Sequence, residues 1–474
     1  RYLPLHIPKE TREYVREAVV AGTASSVDFR VKGDLWDMPF PDAKQGDFRI
    51  AAKVADVHYA YVPPHAGHAG SNGNGAAAVW PALTAASGEL VFERASMKVR
   101  NARGRLAGAT GIEMGRGDAE IADLMHHAAV LKVNVQAAGP LPELLKVAAP
   151  LAGPARDMAA QVRAGGRADY RFQMELPLAA MDKAKVQASV GLLDNELQLA
   201  PETPAFSQAR GAVTFTENGF SLGNVRARVL GGDVRIEGKG RYGGVGHDMS
   251  FRAQGVVTAD GLRAQREFDW LGEMGRKMTG STAYQLDYGI RDGVSEIAFS
   301  SNLQGLGMQL PAPLAKAPED SLPLTFEKKV VLREAARNGS PARVQDRISI
   351  GLGRIASATW LRDLSGEEPK VINGGIGMGL AQGEALVSPE RGVQANLNLA
   401  KLDVGAWQAL FKGKDAGGGP AAANGAAEAE ASPYLPSVIA LRAQELRFGG
   451  RRLGNVVLGG RRDGLLGRPN RGSD

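Results

Sequence analysis

The side chains able to do acid–base, nucleophilic or metal chemistry are few and poorly grouped. His65-Ala-Gly-His68 is a histidine pair at a metal-compatible spacing, but no third ligand stands near it. His126-His127 falls inside or at the end of an expected strand, with no Ser or Cys set by motif to use it as a base. The chain has no Cys, which removes thiolate nucleophiles, Cys-based metal sites and disulfides together. Ile350-Gly351-Leu-Gly353-Arg-Ile-Ala356 has the glycine spacing of a dinucleotide-binding turn. Such a turn must open a helix, and Thr359-Trp360-Leu361 reads extended instead. Gly375, Gly377 and Gly379 alternate with apolar residues, the pattern of a strand whose backbone is closely approached or sharply curved. Arg116-Gly117-Asp118 reads as a chance tripeptide in a turn, and the carboxylates stand mostly alone on outward strand faces. The residues therefore predict no enzyme and no cofactor.

What the chain does have is a repeated pattern of strands. Val186, Ala188, Val190 and Leu192 alternate with Lys185, Gln187, Ser189 and Gly191, the period of two that gives a strand one apolar face. Asp194-Asn195 makes a two-residue loop, which sets Leu192 opposite Leu197 and Val190 opposite Leu199. Asn218-Gly219 is a strong hairpin signal and sets Phe215 opposite Leu222. Gly231-Gly232 then pairs Val229 with Val234 and Ala227 with Ile236, leaving Arg226 across from Glu237 and Arg228 across from Arg235 on the other face. The expected result is an antiparallel meander with a greasy face and a charged face. Something must cover the greasy one: a second sheet, or a ligand.

Composition agrees with thin, turn-rich sheet. Aromatics are 6% and Gly accounts for 61 of 474 residues, too little bulk for a thick core. The net charge of +6 is scattered along outward faces, which excludes a basic nucleic-acid platform. No window reaches the roughly 18–20 apolar residues of a spanning helix. The chain begins in mid-pattern without Met and reads as a piece of a longer protein. Residues 1–411 form one mostly-β region, with a change of strand parity near Asp56 that predicts a bulge. Short helices are expected near 8–21, 140–149, 156–163 and 265–277, the last on the spacing of Phe268, Leu271 and Met274. Residues 65–77 and 412–433 are low-complexity loops, 434–464 form a last hairpin across Gly449-Gly450, and 465–474 are an unpatterned tail.

A family resemblance runs through the same residues. Tyr2-Leu-Pro4, Glu10-Thr-Arg-Glu-Tyr-Val15, Ala21-Gly22, Phe29 to Gly33 and Met38-Pro39-Phe40 follow one another in order. So do Tyr59-Ala-Tyr61, Trp80-Pro81, Val190 to Leu199, Gly211-Ala-Val-Thr-Phe215, Asn302-Leu-Gln-Gly305, Leu310-Pro-Ala-Pro-Leu-Ala-Lys316, Leu402-Asp403 and Trp407. Together they resemble the YhdP family of AsmA-like envelope proteins, over nearly the whole chain to about Leu458. The resemblance implies a long twisted meander folded into an open, taco-like hydrophobic groove, with a few short helices at its rim. It also implies the periplasm of a Gram-negative cell, an anchor at the inner membrane, and carriage of phospholipid towards the outer membrane.

Both lines meet in a non-enzymatic conduit for phospholipid or another acyl lipid. Its lining would include Val186, Val190, Leu192, Leu197, Leu199, Phe215, Leu222, Val229, Val234 and Ile236. Strands spaced about 4.8 Å apart would make a trough on the order of 100–120 Å long. A chain of about 16 carbons loses ~13 kcal/mol on entering water, and an apolar trough removes most of that penalty. The alternative is a structural envelope scaffold, a closed β-sandwich or solenoid that binds no lipid. A transmembrane β-barrel is disfavoured, because it requires even strands and aromatic girdles.

Overall fold

The computed structural model describes residues 9–42, 44–63, 81–148, 160–201, 203–242, 248–265, 269–334, 343–381, 384, 386–411 and 432–461. The chain divides into two compact units, Arg1–Val229 with Arg235–Gly244, and Leu230–Val234 with Val245–Asp474. Helix α1 (Lys9–Ala18) leads into β1 (Val19–Gly33), β2 (Gly46–Tyr59), β3 (Leu83–Glu93), β4 (Ser96–Leu106), β5 (Ala109–Ile121) and β6 (Val130–Pro140). Helix α2 (Leu141–Ala148) is followed by β7 (Arg163–Gly165), β8 (Arg167–Pro177), β9 (Lys185–Gln198), β10 (Phe206–Thr216) and β11 (Gly219–Val229). Strand β12 (Gly232–Arg241) is divided between the units.

In the first unit every pairing given is antiparallel, from β1 through β6 to β8, β9, β10 and β11, with β7 beside β9. Among the described residues β1 pairs with β2 alone, so this sheet is open. Its polar face carries a ladder of alternating charge, Lys98, Glu120, Lys132, Glu175 and Lys185, each directly opposite the next. Lys98 lies 3.2 Å from Glu120, and Lys132 lies 3.8 Å from Glu175. Exposed pairs of this kind add only tenths of a kcal/mol each, but a one-residue slip would break them all, so they help to hold the register.

Bulges shape this sheet more than turns do. Asp56, Ala85, Asn101, Asp194, Gln208 and Asn224 all take φ between 48° and 63°. The ladder register breaks beside each of them. An extra residue in one strand bends it and moves its side chains to the other parity. In β11 the apolar positions accordingly pass from Phe220 and Leu222 to Val225, Ala227 and Val229, and in β2 from Val54 to Val57, where the sequence predicts the bulge. Neighbouring bulges on β2, β3 and β4, and again on β9, β10 and β11, crease the sheet.

The expected hairpin at Asp194-Asn195 is not formed, because both residues lie inside the single strand β9. Leu192 faces Gly211 and Ala168 rather than Leu197, and Val190 faces Val213 and Tyr170 rather than Leu199. The left-handed φ that Asp194 tolerates serves a bulge instead of a reversal. Asp194 is held outside by a two-pronged ion pair with Arg210, at 2.5 and 2.7 Å. Asn195 is fully buried; its Oδ1 accepts from the Leu193 amide and its Nδ2 donates to the Gly165 carbonyl. Asn195→Ala should therefore cost about 2 kcal/mol, two part-buried backbone groups losing their partner, measurable as a lower urea midpoint.

The other turns fall close to expectation. The β10–β11 hairpin exists, but it turns on Glu217-Asn218, so Phe215 faces Phe220 and Leu222 faces Val213. The turn before β12 is Leu230-Gly231, one residue earlier than the double glycine, with φ of 52° and 81°. Arg116-Gly117-Asp118 lies within β5 rather than in a turn, and His126-His127 lies in the loop after β5 rather than in a strand.

The second unit contains β13 (Asp248–Thr258), helices α3 (Ala259–Arg263) and α4 (Asp269–Arg276), β14 (Met278–Arg291), β15 (Val294–Ser301) and β16 (Leu306–Met308). It continues with β17 (Leu324–Glu334), β18 (Arg343–Leu352), β19 (Ala356–Asp363), β20 (Lys370–Met378) and β21 (Gly392–Asp403). Helix α5 (Val404–Phe411), β22 (Val438–Phe448) and β23 (Arg451–Arg461) complete it. The last hairpin turns on Gly449-Gly450 as expected, Phe448 facing Arg451. The meander is interrupted once: β20, β21 and β22 run parallel, which requires crossovers on either side of β21. The first crossover explains the alternating glycines. A Cβ on Gly375 would stand 2.6 Å from the Val387 carbonyl, and one on Gly377 2.5 Å from Leu380. Helices α3 and α5 were not legible in the sequence, whereas α1, α2 and α4 match expected ones. The expected helix near 156–163 lies mostly outside the described residues. So do the loops 65–77 and 412–433, with the His65 and His68 pair, and the tail 465–474.

Candidate functional site

The candidate site is the apolar face of each sheet. In the first unit one row crosses seven strands through Phe29, Ile50, Phe92, Met97, Ile121, Leu131 and Leu176, each opposite the next. A second row runs through Val27, Ala52, Leu90, Val99, Ala119, Val133, Met174 and Val186. A third passes from Val135 through Phe172, Ala188 and Phe215 to Phe220, the last two rings 6.3 Å apart. Cross-strand apolar neighbours of this kind are what makes one face continuous.

That face is not packed shut. Two sheets laid face to face bury their inner side chains about as deeply as any core. Here Phe29 is 67% exposed and Val27 and Val31 are each 45% exposed, while Phe92, Val133, Val190 and Leu222 are only half-buried. The rim is closed locally. Fully buried Phe40 folds back so closely that a Cβ on Gly46 would lie 2.6 Å from its ring. At the opposite strand ends Tyr14 of α1 shares a hydrogen bond of 2.8 Å with the Tyr59 hydroxyl. Burial raises the Tyr59 and Tyr61 pKa values, Tyr61 to about 12, so these phenols stay neutral.

Most of the sequence-chosen lining residues lie on this face. Val186, Val190, Leu192, Leu197, Phe215 and Leu222 share one side of β9, β10 and β11, and Val229 follows beyond the Asn224 bulge. Val229 and Val234 are buried and Ile236 is half-buried. Leu199 does not join them: it lies past the end of β9 and is 51% exposed.

The second unit repeats the arrangement. One row runs through Leu286, Phe299, Phe326, Ile350, Ala358, Ile376, Ala395 and Ile439. Tyr284 stacks on Phe299 with ring centroids 5.8 Å apart. At one strand end Ala259, Leu262, Met278, Leu303, Leu306, Met308 and Leu322 form a buried cluster around α3.

Sequence reasoning passed over a group of charges on this second face. The row beside the last one passes through Tyr288 and Ile297, then Lys328, then Ile348 and Trp360. Asp346, two residues before Ile348, is fully buried opposite Arg362, which is 9% exposed. Arg362 Nε donates to Asp346 Oδ1 at 2.8 Å, its Nη2 reaches Oδ2, and its Nη1 donates to the Tyr434 hydroxyl at 3.0 Å. The Tyr434 carbonyl accepts from Trp360 Nε1 at 3.1 Å. The available signal was phase: these charges fall at apolar positions of the alternation.

Among the described residues no group of three His, Asp or Glu is placed to hold a metal ion, and no helix is long and apolar enough to cross a membrane. No curated protein and no solved structure matches the chain. A family model, described as YhdP protein, matches residues 1–466, in accord with the open strand-rich units above, and the chain belongs to that family.

Proposed function

We propose that this envelope-family chain carries phospholipid by its acyl tails along the apolar faces, between the inner and outer membranes and without catalysis. The observation that carries this reading is the unbroken cross-strand rows, most of whose side chains are only partly buried. Apolar side chains in such number are stable in water only when something apolar lies on them. Tails fit a surface of this kind because it offers the same contacts at every strand, so the lipid meets a nearly level free energy as it moves. Head groups then remain at the strand ends, in water. The periplasm, suggested by the family resemblance, is where such a conduit would work.

The test is a photo-crosslinking amino acid placed in turn at Phe92, Val133 and Phe326, and on the polar face at Lys132 and Gln187. Phospholipid adducts are expected at the first three positions and not at the last two. Adducts only on the polar face, or none with a folded chain, would return the protein to a structural scaffold that binds no lipid.

A further inference from the structure

The charges on the second unit's apolar face call for an account, because a buried ion pair is a weak source of stability compared with apolar residues of the same size. Lys328 pairs with Ile297 and Ile348 and is two residues from Phe326, so its side chain projects from the same face that the rows of Phe326 and Ile350 build. Its ammonium donates to Ser295 Oγ at 2.7 Å and stands 3.9 Å from Asp346 Oδ2. The Asp346 carboxylate is already engaged at both oxygens by Arg362. Two cations therefore share one anion, and the group holds a net positive charge. It lies near one end of the strands, since Ser295 is the second residue of β15 and Arg362 the last but one of β19. The Lys328 side chain remains 18% exposed. Desolvation by this setting lowers its pKa, which an arriving anion would offset.

We propose that Lys328 and Ser295 form a docking point for the phosphate ester of a phospholipid whose tails lie along Phe326 and Ile350. The inference rests on the lipid-carrying reading above and adds a polar contact to it. An ammonium binds phosphate as a point charge, the Ser295 hydroxyl can donate to a phosphate oxygen, and the buried Asp346–Arg362 pair fixes the ammonium's position. The apolar rows continue from this point, so head and tails are satisfied at once.

The experiment measures binding of phosphatidylglycerol and of diacylglycerol with the same acyl chains, both from vesicles. It compares the full chain with Lys328→Met and Ser295→Ala, and circular dichroism confirms that each variant is folded. Wild type should prefer phosphatidylglycerol. Lys328→Met should lower that binding about tenfold while leaving diacylglycerol unchanged, with Ser295→Ala intermediate. Equal binding of phosphatidylglycerol by wild type and Lys328→Met overturns the docking point, while diacylglycerol binding preserves the conduit. Failure of wild type to bind either lipid overturns both. In a further arm, inorganic phosphate that abolishes the Lys328-dependent preference while binding the chain without lipid would assign the site to the free anion, against the proposal.

Discussion

Val133→Arg is expected to slow phospholipid transfer by the chain about thirtyfold while leaving it folded. Val133 lies within a row, between Ala119 and Met174, and is half-buried among the described residues. An arginine there can lay its methylenes along the face and lift its guanidinium to water, so the cost in stability is small. A passing tail loses more. Two or three methylenes that must leave the surface, at roughly 0.8 kcal/mol each, raise the local barrier by about 2 kcal/mol. Asn134→Arg, one residue on and on the polar face, is the matched control and should change neither quantity. Vesicle-to-vesicle transfer of a fluorescent phospholipid reads the rate, and far-ultraviolet circular dichroism reads the fold. Unfolding by Val133→Arg but not by Asn134→Arg would mean that protein covers the face, and the conduit reading would fall.

How far the sequence leads depends on which physical signal each feature leaves. Alternation made the strands and their faces legible, because burial on one side needs a period of two. The break in parity at Asp56 was legible for the same reason. Turn chemistry was a weaker guide. Asp and Asn tolerate a left-handed backbone, but a bulge needs that conformation as much as a hairpin does, and at Asp194 the bulge won. At Gly449-Gly450 both central residues had to reverse the chain, and the expected register holds. Strand direction leaves no mark in alternation, so the parallel run of β20, β21 and β22 was hidden. The continuity of the apolar rows was hidden too, since it depends on the register of every neighbouring pair. The lining residues chosen from the sequence came from one stretch, whereas Phe29, Phe92 and Phe326 lie on strands read equally well but never joined.

The buried pair at Asp346 and Arg362 should have the largest effect on stability. Asp346→Ala leaves Arg362 and Lys328 as neighbouring cations with their shared anion gone, in a place that Tyr434 keeps largely from water. Removing one member of a buried pair costs about 3–5 kcal/mol, most of it the desolvation of the charge left behind. Replacing both, Asp346→Leu with Arg362→Met, leaves Lys328 as the one unpaired cation; its side chain keeps 18% exposure and its bond to Ser295, so the variant should come within about 1 kcal/mol of wild type. Tyr434→Phe keeps the ring against Trp360 and loses only the hydroxyl, so a loss of about 1 kcal/mol is expected. Urea unfolding followed by circular dichroism separates these outcomes. Because the chain has two units, the comparison rests on the transition that the Asp346→Ala variant moves, not on a single midpoint. A stable double replacement with weakened phosphatidylglycerol preference would mean that the pair is kept for where it holds Lys328 rather than for stability. An unstable double replacement would instead make the three charges a fastening of the sheet, with Tyr434 as its cover.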